Sequence, residues 1–341
     1  MTPERCSNPV DALGRGSWVA QLSCDGKIRT RAAAEKREPA ASLTKRKPGN
    51  RRALRRNPAD ERSRNFVKQV CFIDGKIVRG GEACVPVDDL GLQRGYAVFD
   101  YARTYRGRLF HAIDHIARLR RSAAALHLSL PYSDEEVLAT AKRLIEELGE
   151  KEAGLRMILT GGSAHAKDLL AHARFILIAE ELPVYPVEIY EKGVKLMTHE
   201  FERDLPFVKS TNYLTGFRLI PEKKEKGAFE VLYCWRGRLL ECSRDNFFVF
   251  RGDVLATPGD YVLGGITRQV LLSVARARFR VEERDVLVDE VDEIDEAFLA
   301  STSKQIVPVI RIDDHMIGRG VVGERTKEAM ALFQDYADRY R

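Results

Sequence analysis

Residues 207–214 read FVKSTNYL. One lysine, Lys209, sits between an acidic stretch, HEFERDLP (199–206), and a segment with the pattern of a helix, NYLTGFRLIPEKKEKG (212–227). Lysines are among the most exposed residue types, so Lys209 taken alone reads as a solvated surface charge. How the rest of the chain is read turns on whether other segments supply groups that would give this amine a task.

Toward the N-terminus, order is expected to begin at QVCFIDGKIVRGGEACVPV (69–87), where alternating apolar residues flank an Asp-Gly pair, the signature of a β-hairpin. AVFDYARTYRGRLFH (97–111) repeats the pattern around Arg106-Gly107. AIDHIARLRRSAAALHL (112–128) places Ile113, Ile116, Ala117, Ala123, Ala124 and Leu126 at helical spacing and stops before Pro131. A second helix is expected over 133–149, with Ser133 as N-cap, Glu136 three residues on, and Gly149 as the stop. AGLRMILTGG (153–162) and RFILIAEEL (174–182) read as buried strands. Residues 66–182 are therefore expected to form a small α+β domain, followed by a linker over 183–190 that opens with PVYP.

The larger C-terminal domain, 191–341, opens with a strand at GVKLMTHEF (193–201) and a helix at 212–227 that Pro221 kinks or shortens. FEVLYCW, GRLLEC, NFFVFRG and VLATP then read as strands with tight turns between them. GITRQVLLSVARARF (265–279) is a helix, EAFLAST and VPVIRID are strands, and an amphipathic helix at 323–340 closes the chain. The fold class is thus α+β in two domains. No internal repeat and no Gly-rich nucleotide loop of the GxGxxG or GxxxxGK[ST] type is present in the sequence.

Composition narrows the classes further. An apolar fraction of 44% and a charged fraction of 31% are those of an ordinary globular protein. No apolar run reaches eighteen residues, which argues against a membrane-spanning helix, and the N-terminus lacks the apolar core of a secretory signal. Six scattered cysteines without a CxxC pair argue against a metal site and for free thiols in a reducing cytoplasm. The net charge of +6 resides in the first 65 residues, which hold 16 Lys and Arg against 7 Asp and Glu; the remainder holds 40 against 43. That basic segment lacks periodicity and is broken by Pro and Gly, so it is expected to be a disordered, non-functional extension. Its charge would attract phosphate, but no aromatic residues interleave with the basic ones to stack on bases, and its acids speak against a transit peptide.

Three features of the second half bear on Lys209. Glu241 ends an apolar strand in RLLECSRDNFF (238–248), where a carboxylate is costly unless a cation meets it. LGGITRQV (263–270) is a Gly-Gly turn opening a helix, and free amides with the Thr267 hydroxyl make an anion site there. STSKQ (301–305) ends another apolar strand with hydroxyls and a lysine. Each has an ordinary reading: a strand-end acid, a helix cap and a polar loop. Taken in order, however, they are what pyridoxal phosphate requires: an amine for a Schiff base, an acid for the ring nitrogen, and donors around the phosphate.

With these motifs in order, residues 68–341 resemble the class IV aminotransferases, the fold type IV pyridoxal phosphate enzymes, which include branched-chain and D-amino acid transaminases and aminodeoxychorismate lyase. The resemblance implies that Lys209 carries the Schiff base and that Glu241 pairs with the ring nitrogen. It further implies that Arg118 in DHIARL reaches the phosphate, with Ile266, Thr267 and Thr302 as additional donors. Tyr213 resembles the tyrosine that bonds the cofactor's phenolic oxygen, although four positions separate it from Lys209 where branched-chain enzymes have five. An amino acid and a 2-oxo acid are the implied substrates, and a homodimer with shared active sites the implied assembly.

For the substrate carboxylate the resemblance points to Arg94 in LQRGYAVFDY, Arg156 in GLRMILTGG and Lys304 in STSKQ. The loop GGSAHAKDLL carries His165 and Lys167 but not the Arg-x-His pair of typical D-amino acid transaminases. Branched-chain enzymes have a tyrosine near Arg94 and a small residue at Lys304. The sequence is similar instead to atypical D-amino acid transaminases, so a D-amino acid transaminase is the first expectation. A branched-chain L-amino acid transaminase is the alternative, then aminodeoxychorismate lyase. A non-enzymatic alternative, a basic-tailed inactive binding protein, conflicts with the intact set Lys209, Glu241 and Arg118.

Overall fold

The computed structural model describes residues 68–163 and 173–340. The basic segment and the residues His165 and Lys167 lie outside the described residues. The first hairpin forms as expected: β1 (Gln69–Ile73) and β2 (Lys76–Arg79) pair across Asp74 and Gly75, both at positive φ. After a short helix α1 (Leu90–Arg94), a second hairpin joins β3 (Ala97–Tyr105) to β4 (Arg108–Leu109) through Arg106 and Gly107, again at positive φ. β5 (Ala153–Thr160) and β6 (Arg174–Glu181) complete an antiparallel six-stranded sheet in the order β2-β1-β6-β5-β3-β4.

Two helices cover this sheet. α2 (Ala112–Ala125) buries Ala112, His115, Ile116, Arg118, Leu119, Ser122 and Ala123. Its buried stripe differs from the apolar pattern, because Ile113 and Ala124 face solvent while three polar residues turn inward. α3 (Asp134–Leu148) starts in the expected capping box of Ser133 and Glu136 and ends at Gly149. Val137, Ala141, Leu144 and Leu148 form its buried face, packed with Leu155, Leu159 and Leu177 of the sheet.

The second sheet begins, after the one-turn helix α4 (Glu188–Glu191), with β7 (Val194–Glu200). The segment 212–227 forms two short helices rather than one. α5 (Leu214–Arg218) and α6 (Ile220–Glu225) meet at Leu219 because Pro221 lacks an N–H to continue the first helix but suits the first turn of the next. β8 (Glu230–Trp235), β9 (Arg238–Cys242), β10 (Asn246–Arg251) and β11 (Val254–Thr257) follow, then α7 (Ile266–Ala275). The mostly polar strand β12 (Arg280–Glu283) and the two-residue strand β13 (Val286–Leu287) are too polar or too short to carry an apolar alternation that would announce them. β14 (Glu296–Ser301), β15 (Gln305–Ile312), β16 (His315–Met316) and α8 (Glu324–Arg339) complete the chain.

Ten strands form the sheet, nine of them in the order β12-β11-β10-β14-β15-β7-β8-β9-β13 with β16 on β15. β10 also pairs with β9, so six strands close on themselves, and the closing pair is Asn246 opposite Glu241. Phe247, Leu299, Val307 and Leu196 fill one face, while Phe248, Phe250 and Phe298 pack the other under α7 and α8. The point of closure thus falls at the acid singled out from the sequence. Among the described residues no helix is long and apolar enough to cross a membrane.

Candidate active site

Lys209 is fixed through its backbone. Its carbonyl accepts from Phe99 N–H at 2.9 Å, Thr211 N–H donates to the Ala97 carbonyl at 3.1 Å, and Lys209 N–H donates to Ser122 Oγ on α2 at 3.1 Å. The segment 209–211 therefore adds itself to the edge of β3 and is tied to the covering helix. Its side chain lines a cavity of about 680 Å³ bounded by residues of both sheets. The ammonium lies 4.6 Å from the centroid of the Phe99 ring. Burial, then the nearby Arg118, pushes the Lys209 pKa down to about 8, while Asp100 and Glu241 resist the shift.

Glu241, buried at the end of β9, lines the same cavity. Its Oε1 accepts from Arg203 Nε at 2.9 Å and Nη2 at 2.6 Å, and its Oε2 accepts from Leu263 N–H at 3.0 Å and Asn246 Nδ2 at 3.2 Å. Burial raises the carboxyl pKa, opposed by Arg203 and the Leu263 amide. Arg203 also donates to the Val208 and Pro206 carbonyls, so one guanidinium joins the acid to the loop that presents Lys209. Sequence reading missed Arg203. Its only signal was a lone cation in HEFERDLP, close before the lysine.

The helix α7 meets the cavity at its N-terminus. Ile266 and Thr267 line it, and the N-cap Gly265 provides no side-chain cap. Open amides and the positive end of the helix dipole therefore face the cavity. A Cβ on Gly265 would overlap Asn246 Oδ1, so any larger residue requires that side chain to move. Gly265→Ala should push Asn246 away from Glu241 and cost about 1–3 kcal/mol by overpacking. A thermal melt checks this, and an unchanged melting temperature would mean that Asn246 yields freely.

Arg118 reaches the same end of the cavity from α2. Its Nε and Nη2 each donate at 2.8 Å to Asp100, and Nη1 donates to the Gly264 carbonyl at 3.1 Å. These bonds use three of its five N–H groups, leaving two for a ligand. Beside Arg118 and His115, the Asp100 carboxyl is held well below its ordinary range although burial opposes this. Tyr213 lines the cavity with its ring 5.7 Å from Phe99, and burial raises its hydroxyl pKa to about 12. Thr302 lines the cavity at the end of β14, between Ser301 and Ser303.

The three expected carboxylate binders fare differently. Arg156, on β5, lines the cavity, where its Nη2 donates to Glu180 at 2.7 Å and its guanidinium lies 4.9 Å from the Tyr101 ring. Among the described residues Arg94 does not line the cavity of its own chain: it is the last residue of α1, exposed, and its one hydrogen bond to a described residue goes to the neighbouring Gln93 carbonyl. Lys304 is also placed outside, buried behind the cavity wall. Its ammonium, expected to meet the substrate carboxylate, faces Asp245 at 2.7 Å and Glu230 at 3.8 Å. A buried ammonium without such partners would be untenable.

The sequence profile of the family described as amino-transferase class IV matches residues 97–312. A D-alanine aminotransferase of Bacillus licheniformis is 30% identical over 274 residues, 77% of this chain and 95% of its own. A putative branched-chain-amino-acid aminotransferase of Methanocaldococcus jannaschii is 31% identical over the same shares. Among solved structures, an aminotransferase from Brucella abortus bound to the cofactor pyridoxal phosphate superposes with a TM-score of 0.71 at 26% identity, covering 79% of this chain and 99% of its own. With this match spanning more than half the chain, and with Lys209, Glu241 and the open end of α7 gathered on one cavity, the chain belongs to the class IV aminotransferases.

Proposed function

We propose that this chain is a pyridoxal phosphate-dependent transaminase that moves amino groups between D-amino acids and 2-oxo acids. The observation that carries the reading is the convergence of an amine with lowered pKa, a buried acid and an uncapped helix N-terminus on one cavity. The donor set fits the cofactor. Lys209 offers the amine, Glu241 offers a carboxylate for the ring nitrogen, and Tyr213 keeps its proton to donate to the phenolic oxygen. Arg118, Thr302 and the Ile266 and Thr267 amides would hold the phosphate.

When bound, pyridoxal phosphate supplies an electrophilic carbon for the substrate amine and a sink for the electrons of the Cα–H bond. Lys209 Nζ would take the Cα proton of the substrate, and its pKa near 8 suits that task at neutral pH. Glu241, whose negative charge Arg203 and two further donors favour against burial, would hold a positive charge on the ring nitrogen. Phe99 and Tyr101 give the cavity apolar walls that restrict water. Arg156 supplies a cation for the α-carboxylate.

The D-preference draws on the D-alanine aminotransferase relative and on Arg156. A branched-chain L-amino acid transaminase is the second reading, favoured by the relative at 31% identity and by Ile158 and Phe217 in the cavity wall. The working form we propose is a homodimer, because Phe207, Leu214 and Phe217 are each at least 64% exposed and flank Lys209 in sequence. The four described cysteines, none in a disulfide, support a reducing, cytoplasmic setting. A panel of D- and L-amino acids with pyruvate and 2-oxoglutarate tests the reading. Turnover of D-alanine or D-glutamate well above L-leucine or L-valine is expected, and the reverse order would establish the branched-chain reading.

A further inference from the structure

We infer that Arg244, in the turn between β9 and β10, receives a second carboxylate of the substrate and so sets the preference for dicarboxylic over monocarboxylic partners. The inference rests on the transaminase reading above. Among the described residues four arginines line the cavity. Arg118, Arg156 and Arg203 each hold a carboxylate at 2.6–2.8 Å, with side chains 6%, 37% and 19% exposed. Arg244 differs: its side chain is 58% exposed, and its one carboxylate contact, Nη2 to Glu230 Oε2, is 3.3 Å long.

Glu230 does not need that contact for its charge. The buried carboxylate accepts from Ser243 Oγ at 3.1 Å and lies 3.7 Å from Lys223 and 3.8 Å from Lys304. Asp245, the other acid of the cluster, is matched by Lys304 at 2.7 Å. Two carboxylates thus face Lys223, Lys304 and Arg244, which leaves one positive charge in surplus; of these three cations only Arg244 lines the cavity, next to Asp245, whose charge Lys304 takes up from behind. Glu230 acts as a tether that aims the guanidinium while leaving Nε and Nη1 to a ligand. Ser303 and Tyr185, whose hydroxyls lie 3.4 Å apart, line the same cavity and offer further donors. Of the cavity's acids outside this cluster, Glu241 is matched by Arg203 at 2.6 Å, while Glu180 and Glu181 belong to β6 of the other sheet, where Arg156 stands on the neighbouring β5. A cation therefore stands on each sheet's side of the cavity, the arrangement that suits a substrate with a carboxylate at both ends.

The test is steady-state kinetics of holoenzyme with 2-oxoglutarate or pyruvate as acceptor, for the native protein, Arg244→Gln and Arg244→Lys. Arg244→Gln should raise the KM for 2-oxoglutarate about ten- to a hundredfold, the loss of one charge-assisted contact, with kcat and the pyruvate KM within about threefold. Arg244→Lys should recover part of the loss, since it keeps the charge but not the fork. Glutarate should raise the melting temperature of the native protein more than butyrate does, and Arg244→Gln should abolish that difference. Equal changes for both acceptors, or an unchanged KM for 2-oxoglutarate, would assign Arg244 to the Glu230 cluster alone and overturn the inference. If the native protein turns over no acceptor, the transaminase reading fails. The glutarate and butyrate melts then still decide the role of Arg244.

Discussion

Lys209→Ala should lower transamination by about 10⁴-fold or more, because it removes both the covalent anchor for pyridoxal phosphate and the base that moves the Cα proton. Among the described residues no other lysine lines the cavity: Lys304 is outside it, in its pair with Asp245. A variant that keeps activity within tenfold of the native rate would remove Lys209 from the reaction. The lowered pKa gives a second, cofactor-free readout. At pH 8 about half of Lys209 is neutral, against roughly 0.4% of an ordinary lysine, so an amine-directed reagent should label it first. The sign for stability follows from the same shift. The folded state binds the proton less tightly than the unfolded state, so unfolding takes up protons between about pH 8 and 10.4, and stability rises with pH across that window. Lys209→Met, which keeps the packing, should therefore melt higher than the native apoprotein at pH 7 and lose that advantage above pH 10.4. An apoprotein whose Lys209 labels no faster than surface lysines would show that its amine is not desolvated.

The legible parts of this fold are those with a local code. Asp74-Gly75 and Arg106-Gly107 marked their hairpins because only a few residue types accept the positive φ of such turns. Ser133 and Glu136 marked a helix start because the box is closed by neighbours in sequence. Lys209, Glu241, Ile266, Thr267 and Thr302 were legible as a set through their order, and one cavity gathers them. The cations were harder. Arg94, Arg156 and Lys304 read alike in sequence, yet their surroundings are solvent, Glu180 and Asp245 respectively. What an arginine or lysine faces is decided by residues tens of positions away, as Glu180 is from Arg156 and Asp245 from Lys304. The same holds for Arg203, whose partner Glu241 lies 38 residues downstream. Charge alone carries no direction, so sequence names the candidates and only the packing divides them.

Glu241→Gln should cost about 10²- to 10³-fold in kcat, the range for removing a preorganised charge from a reacting centre. It should also cost stability. Each oxygen of Glu241 accepts two hydrogen bonds, and an amide NH₂ in place of either would face a donor: Arg203 on one side, Leu263 N–H and Asn246 on the other. Breaking a buried ion pair costs about 3–5 kcal/mol, and the 19% exposure of Arg203 puts this case at the low end. The two effects separate in a cycle with Arg203→Gln. If Arg203 acts by keeping Glu241 anionic, its loss lets burial raise the Glu241 pKa further, so the single variant already forfeits much of the charge. The double variant should then be little slower than Glu241→Gln, with a coupling of about 1–3 kcal/mol. Rates that fall by the product of the two single losses would show that Arg203 acts on substrate or cofactor directly, and near-native turnover of Glu241→Gln would reduce the acid to a structural strand end. The cycle also fixes the order of dependence at this end of the cavity: the strand closure of β9 on β10 places Glu241, Arg203 keeps it charged, and the same guanidinium, through the Val208 carbonyl, holds the loop from which Lys209 acts.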